Sequence, residues 1–370
     1  MYKTEYTEKI SSATLENGAF GGVKTGFVPK GACGKPMRGK ITVKDRVLLI
    51  LEENKGNTIS GESLAKALNV SRAAVWKAMK QLQDEGYEIT AGTNRGYCLD
   101  PNSDVLSMQG IESYVRATPQ PRVMVYESVD STNKLAKSLA IEGALHGTCV
   151  AANAQTAGRG RLGRSFFSPP QSGIYLSIIL RPEIDITKAT LITTMASVAT
   201  ATAISDVCGI ETDIKWVNDL YYQGKKVCGI LTEAVTNFET GKIDSIVVGI
   251  GINSAPPNCD LPDEIKGIYG FIPGSFSFSR NQLTAEVISR VIELCSQIED
   301  GDYSFIEEYR RRSMVVGKKI DVFKGGLKHD PFHATAIDVD KFGGLVVKYE
   351  NGKTETLTSG EISIRVLPQA

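Results

Sequence analysis

Hydrophobic and polar positions follow no clear period over the first 36 residues, which are rich in Gly, Lys and Thr. Met1 to Pro36 therefore reads as a mobile extension, or as an upstream segment with Met37 as the start. Helical periodicity begins at Ile41, where Val43, Val47, Ile50 and Leu51 recur at spacings of three and four. Gly56 and Asn57 end that helix. Ser60 then suits the N-cap of a short helix burying Leu64, Ala65 and Leu68, and Ser71 the N-cap of a third burying Val75, Met79 and Leu82 and ended by Gly86. Beyond it, Tyr87 to Ala91 and Tyr97 to Leu99 alternate around the turn Gly92-Thr93-Asn94-Arg95-Gly96, a hairpin pattern. Three helices and a hairpin make a winged helix-turn-helix over 37–100.

A polar linker opens with Asp100-Pro101-Asn102-Ser103-Asp104 and is assigned 101–118. A larger region, 119–314, mixes strand-like runs (Val123 to Tyr126, Ile174 to Leu180, Ile246 to Ile250) with helical stretches such as Thr187 to Val207. Strands and helices do not alternate regularly, so the fold class is α+β around a mixed sheet. After Gly317 come short strands and Gly turns: Lys319 to Val322, Ala334 to Ile337, Leu345 to Tyr349 and Glu361 to Ile364. They predict a small C-terminal β-barrel over 315–370.

Composition narrows the partners. Lys+Arg and Asp+Glu balance at 42 each in 370 residues, so any anion-binding surface must be local. Seven scattered cysteines without a C-x-x-C pair, and three histidines, argue against a disulfide framework or a structural zinc site and suit a reducing, cytoplasmic setting. The apolar runs read as shorter than the ~20 residues of a membrane span, and the N-terminus lacks a signal-peptide core. No membrane partner is expected.

Local basic sites exist. On the third helix Arg72, Trp76, Lys77 and Lys80 fall on the polar side, with no acidic residue between Arg72 and Lys80. With Ser71 at the helix start and Arg95 in the hairpin turn, they form a DNA-reading face: cations for phosphate, N-terminal residues for base edges. The domain is only weakly basic, which suits salt-sensitive binding by a dimer.

Gly158-Arg159-Gly160-Arg161-Leu162-Gly163-Arg164 satisfies G-x-G-x-x-G, yet Ser165 to Pro170 follow where a dinucleotide-binding fold needs a long helix. That argues against nicotinamide binding. Arginines interleaved with glycines suit an anion-binding loop that closes over ligand: backbone can approach phosphate, and guanidinium can clamp it. A second polar cluster, Lys215-Trp216-Val217-Asn218-Asp219, is embedded in strand-like sequence; alternation would put Lys215, Val217 and Asp219 on one face. Lys226 follows a Gly224 turn, where a cation can offset charge developing between a carboxylate and a phosphate.

These motifs, together and in order, resemble the biotin protein ligases, specifically the bifunctional type that also represses biotin-synthesis genes. The carriers are Ser131-Thr132-Asn133, Gln155, Gly158 to Arg164, Lys215 to Asp219, Lys226-Val227-Cys228-Gly229, Gly249 to Asn253 and Gly360 to Arg365. By this resemblance Ser131, Thr132, Asn133, Gln155, Gly158, Arg159, Gly160, Arg161, Lys226 and Gly229 surround biotin. Arg161, Arg164, Phe166, Lys215, Asn218, Asp219, Asn253, Lys319 and Arg365 serve ATP or the adenylate, and Lys226, Arg161, Lys215 and Asp219 carry catalysis. The resemblance implies a C-terminal SH3-like barrel, Mg2+ arriving with ATP rather than on a dedicated site, a biotin carboxyl carrier protein as acceptor, operator DNA, and a ligand-promoted homodimer. Two departures stand out: Val217 occupies a usual proline position, and Phe166 a position where some members have tryptophan. Three alternatives remain at this point: a small-molecule sensor without turnover, a lipoate or octanoate transferase, and a ligase whose winged helix has lost its operator.

Overall fold

The computed structural model describes residues 41–92, 96–183, 189–236, 243–274, 278–324, 330–358 and 362–366. Met1 to Pro36 and Arg95 lie outside them.

The first unit is three helices and a hairpin: α1 (Val43–Glu53), α2 (Gly61–Leu68), α3 (Arg72–Asp84), β1 (Ile89–Gly92) and β2 (Gly96–Leu99). Ser60 and Ser71 accept hydrogen bonds from the backbone N–H groups of Ser63 and Ala74, at 2.9 and 3.1 Å, satisfying donors that a helix start leaves open. Val47, Leu51, Leu64, Leu68, Val75, Met79 and Leu82 form a buried cluster of their own. Apolar positions on one stripe of each helix leave the opposite face of α3 exposed.

The segment expected as a linker carries a short helix, α4 (Met108–Glu112), and takes part in the packing. Leu106 and Ile111 enter the core of the central domain. Asp104 accepts from Arg280 Nε at 2.7 Å, and Asn281 Oδ1 accepts from Ser107 N at 3.0 Å. The connecting segment is thereby fastened to the central unit by polar contacts as well as apolar packing.

The central unit is built on a seven-stranded sheet: β3 (Val123–Tyr126), β4 (Cys149–Ala152), β5 (Gly173–Leu180), β6 (Asp213–Lys215), β7 (Asp219–Tyr222), β8 (Lys225–Thr236) and β9 (Ile243–Asn253). Their spatial order is β3-β4-β5-β9-β8-β7-β6. Only β3 and β4 run parallel; the other neighbours are antiparallel. Helix α5 (Thr132–Ile141) leads from β3 to β4. Helix α6 (Ala189–Cys208) fills the main core with α8 (Arg280–Glu299), α7 (Asp263–Lys266) being a single turn, and α9 (Phe305–Arg312) closes the domain.

Over Thr190–Cys208, α6 is long and apolar enough to cross a membrane by length and composition, with a mean hydropathy of 1.4, contrary to the shorter runs read from sequence. Here 72% of that stretch is buried inside the protein. Several of its hydroxyls bond back within the helix: Ser197 donates to Thr193 O at 2.9 Å and Thr200 to Ala196 O at 2.7 Å.

The C-terminal unit is a five-stranded antiparallel sheet, β10 (Lys319–Lys324), β11 (Phe332–Val339), β12 (Leu345–Tyr349), β13 (Thr354–Leu357) and β14 (Ile362–Val366), in the order β13-β12-β11-β10-β14. Strand β13 went unread in the sequence because only Leu357 of its four residues is buried.

Candidate active site

One cavity of about 260 Å3 opens on the central sheet. Its floor includes a row across three strands, Asp219–Gly229–Gly251 in register on β7, β8 and β9, which Tyr175 on β5 continues beyond the cavity lining. The two glycines are required by what lies above them. A Cβ at Gly251 would stand 2.4 Å from the Phe166 ring, and one at Gly229 3.0 Å from the same ring and 3.2 Å from Lys226 Nζ. Phe166 packs edge-on to Tyr175, the centroids 6.5 Å apart.

One wall is the N-terminus of α5. Ser131 caps the helix, placing Thr132 and Asn133 at the cavity. Gln155, just beyond β4, accepts from Thr132 N at 2.9 Å. The Gly-Arg loop follows as a closed turn: Gly160 N donates to Arg164 O at 2.8 Å, with Leu162 and Gly163 in the left-handed region at φ 56° and 73°. Gly158 lies behind this wall, its backbone against Phe166 O and Ser168 Oγ, while Arg159, Gly160, Arg161 and Arg164 line the cavity.

The opposite wall holds the charges. Lys226 Nζ is 2.8 Å from Asp219 Oδ1. Arg161 donates to Asn218 Oδ1 at 3.1 Å, and the Asn218 amide is itself held by Ile230 O at 2.8 Å. Burial pulls the Arg161 guanidinium below its ordinary value, with Asp219 opposing. Lys215 and Asp219 also line the cavity, but not as alternate positions of one strand. They face each other across the hairpin of β6 and β7, with Trp216-Val217-Asn218 as its turn and a cis Trp216–Val217 peptide. Distant groups fasten that turn: Trp216 Nε1 donates to Gly343 O at 3.0 Å, and Val217 O accepts from Ser197 Oγ at 3.1 Å and Tyr309 Oη at 3.2 Å. These contacts override the alternation that sequence suggested.

Sequence reasoning missed a third wall. Ile265, Ile268 and Tyr269 border the cavity because the chain there pairs with Lys226: Lys226 N donates to Ile268 O at 2.7 Å and Gly270 N to Lys226 O at 2.9 Å. Asn253 secures this pairing, its Nδ2 donating to Gly270 O at 2.8 Å. No local motif marks the segment. Trp216 and Gly251 were within quoted motifs but were not assigned to the site.

Lys319 lies at the exposed start of β10 and does not line the cavity; Arg365 pairs by backbone with Asp321, and its side chain is outside what is described. On α3, Arg72, Trp76, Lys77 and Lys80 are exposed, Trp76 by 62%.

The glycine-floored cavity, walled by a helix N-terminus and an arginine loop on a mixed sheet, draws most of its lining from the span that a biotin/lipoate ligase family model matches. The model of the "Biotin/lipoate A/B protein ligase family" matches residues 125–253, an "HTH domain" model 44–98, and a "Biotin protein ligase C terminal domain" model 324–365. The bifunctional ligase/repressor BirA of Bacillus subtilis is 37% identical over 268 residues, 71% of this chain and 79% of that protein. Its Escherichia coli counterpart is 28% identical over 313 residues, covering 84% and 94%. Among solved structures, a biotin protein ligase from Aquifex aeolicus in complex with biotin and ATP superposes with a TM-score of 0.56 at 26% identity, over 66% of this chain and 99% of that one. The chain belongs to the biotin protein ligase family, with the helix-turn-helix of its bifunctional ligase/repressor members.

Proposed function

We propose that this chain is an ATP-dependent ligase that forms biotinyl-5′-AMP and transfers biotin to a lysine of a biotin carboxyl carrier protein, and that its winged helix represses biotin synthesis or transport genes. The observation that carries the reading is the meeting, in one cavity, of the Lys226–Asp219 pair and the Arg161–Asn218 contact with the polar wall Thr132–Gln155.

In this reading the ring of biotin lies against Ser131, Thr132, Asn133 and Gln155, and ATP takes the side of Lys215, Asn218 and Asp219. A carboxylate oxygen of biotin attacks the α-phosphorus, a P–O bond forms and pyrophosphate leaves. Lys226 stabilises the negative charge shared by carboxylate and phosphate, and Arg161 closes over the mixed anhydride and keeps water from it. The carrier's lysine amine then attacks the acyl carbon and AMP departs. Magnesium would arrive on the phosphates of ATP, on the side of the cavity that Asp219 lines, and would offset charge on the leaving pyrophosphate. Phe166 packs on the ligand, and Lys319 and Arg365 would serve the phosphates by closure of the C-terminal domain onto bound ATP, since Lys319 does not line the cavity.

The domain limits 37–100, 119–314 and 315–370 separate DNA binding, chemistry and nucleotide closure, with a cytoplasmic location. Adenylate that persists when carrier is scarce promotes a homodimer, and two winged helices then meet a palindromic operator. Biotin-dependent pyrophosphate release from ATP tests the chemistry, with lipoate as control, and gel shift with and without biotin and ATP tests the repressor. Release with lipoate instead moves the chain to the lipoate branch; tight biotin binding without release makes it a sensor.

A further inference from the structure

The polar wall of the cavity has a fixed hydrogen-bond polarity. Three residues outside the expected site set it: Ser168, Ser177 and Glu233. At one end of the network is Phe166 O, which can only accept. Ser168 Oγ donates to it at 2.9 Å and therefore accepts from Gln155 Nε2, also at 2.9 Å. That orients the Gln155 amide with Oε1 toward Thr132, where it accepts from the backbone N–H at 2.9 Å and from Oγ1 at 3.1 Å. Thr132 N can only donate, so both ends of Gln155 demand the same orientation.

Ser177 sits in the middle of β5, fully buried in an otherwise apolar run. Its Oγ lies 2.7 Å from Asn133 Oδ1 and 2.8 Å from Thr132 Oγ1, so one hydroxyl proton serves two acceptors. The Asn133 amide is pinned from the far side: Nδ2 donates to Leu231 O at 3.2 Å and to Glu233 Oε2 at 3.0 Å. Burial opposes the Glu233 charge, but the Asn133 amide, Lys137 and Arg159 together hold its carboxyl below the ordinary range, so it stays an acceptor. Two bare glycines make room: a Cβ at Gly249 would fall 2.0 Å from Asn133 Oδ1, and one at Gly158 2.6 Å from Ser168 Oγ.

Every proton of Thr132 and of the Asn133 amide is thus used inside the protein. What they retain for a ligand is acceptor capacity, on Thr132 Oγ1 and Asn133 Oδ1. Gln155 keeps one amide proton beyond the bond to Ser168. Two acceptors and one donor are the complement of a cyclic urea, which carries two N–H groups and one C=O. A dithiolane ring offers none of these and would leave the wall's polar groups unmet, a large penalty in a buried site.

We propose that Ser168, Ser177 and Glu233 are positioning residues that fix this polarity and so select a cyclic-urea acid over a dithiolane acid. The proposal rests on the reading of the cavity as a biotin site. It is tested on the full chain by calorimetry with biotin and with 2-iminobiotin, whose ring presents a donor where biotin has its carbonyl. Ser168→Ala releases the Gln155 amide to turn. Biotin should then bind about tenfold more weakly, the loss of about one good hydrogen bond, while 2-iminobiotin changes less than threefold and the KM for ATP is unmoved. Ser168→Thr, which keeps the hydroxyl, should restore most of the affinity. Biotin binding within twofold of the parent, or equal weakening of both ligands together with a shifted KM for ATP, would overturn the proposal. If Ser168→Ala does not fold, Ser177→Ala, which only removes an atom from the sheet interior, frees the Thr132 and Asn133 acceptors that meet the ring N–H groups and should weaken both ligands about tenfold with the KM for ATP unmoved; biotin binding within twofold of the parent would overturn the proposal. A parent chain that binds no biotin refutes the site reading itself, an outcome distinct from any of these.

Discussion

On helix α3 of the winged domain, Arg72, Lys77 and Lys80 are exposed, and among the described residues no carboxylate pairs with them. In the central cavity, Lys226 stands 2.8 Å from Asp219 and Arg161 bonds Asn218 at 3.1 Å. The two sets of cations suit different tasks. An exposed, mobile cation exchanges counterions for phosphates along a duplex, giving affinity that salt erodes. A cation fixed by partners is already where charge will develop and needs no reorganisation when it does. Substitutions should therefore act on binding and its salt dependence in the first region, and on rate in the second.

The largest effect is expected at Lys226. Lys226→Ala should slow biotin-dependent pyrophosphate release by about three powers of ten, within the range seen when one charge-stabilising donor is removed. A rate within tenfold of the parent would place the charge stabilisation elsewhere.

Between the two regions lies Glu52, 3% exposed on α1 and facing Lys55 and Asp104. Burial pushes its carboxyl up to about 7, Lys55 opposing and Asp104 adding to the rise. An acid whose folded pKa exceeds its unfolded one holds its proton more tightly when folded. Its favourable contribution is complete below the unfolded value and is lost as pH climbs toward 7. Glu52→Gln should thus stabilise the winged domain by about 3 kcal/mol at pH 8, and the gain should vanish as pH falls below about 5. Thermal unfolding across that range decides it, a pH-independent difference being the contrary result.

Smaller effects sharpen the contrast. Lys77→Ala should weaken binding to operator duplex roughly tenfold in moderate salt and flatten the slope of log K against log salt by about 1 per lost phosphate contact, with pyrophosphate release unchanged. Trp216→Phe keeps an aromatic side chain and removes the donor to Gly343, loosening the tie between the cavity hairpin and the C-terminal unit. The KM for ATP should rise about fivefold, as for one lost hydrogen bond, while biotin affinity holds. A change in biotin affinity alone would show that Trp216 belongs to the other half of the cavity.

The same two regions differ in how far sequence reveals them. In the winged domain the contacts that decide structure are local. Caps at Ser60 and Ser71 and apolar stripes on three short helices are visible as spacing, so elements and exposed face could be read directly. The Gly-Arg loop was legible for another reason, since three arginines among glycines admit few other uses. The cavity's remaining geometry depends on pairings far apart in the chain. The β6–β7 hairpin is fixed by Gly343, 127 residues from Trp216, so alternation within Lys215 to Asp219 gave the wrong faces. Ile265 to Tyr269 reach the site through backbone bonds to Lys226, which side-chain identity does not encode. Ser177 lies in a wholly apolar run, and only the arrival of Thr132 and Asn133 against it gives its hydroxyl a purpose.

The most direct measurement is the identity of what the enzyme holds. The full chain is mixed with biotin and MgATP without carrier, freed of unbound ligand by rapid gel filtration, denatured, and its small molecules are identified by mass spectrometry. Lys226 and Arg161 acting as described predict biotinyl-5′-AMP, near one equivalent per chain and discharged when carrier protein is added before denaturation. Recovery of intact biotin and ATP, or of biotin alone, would contradict the account and leave a cavity that binds without reacting.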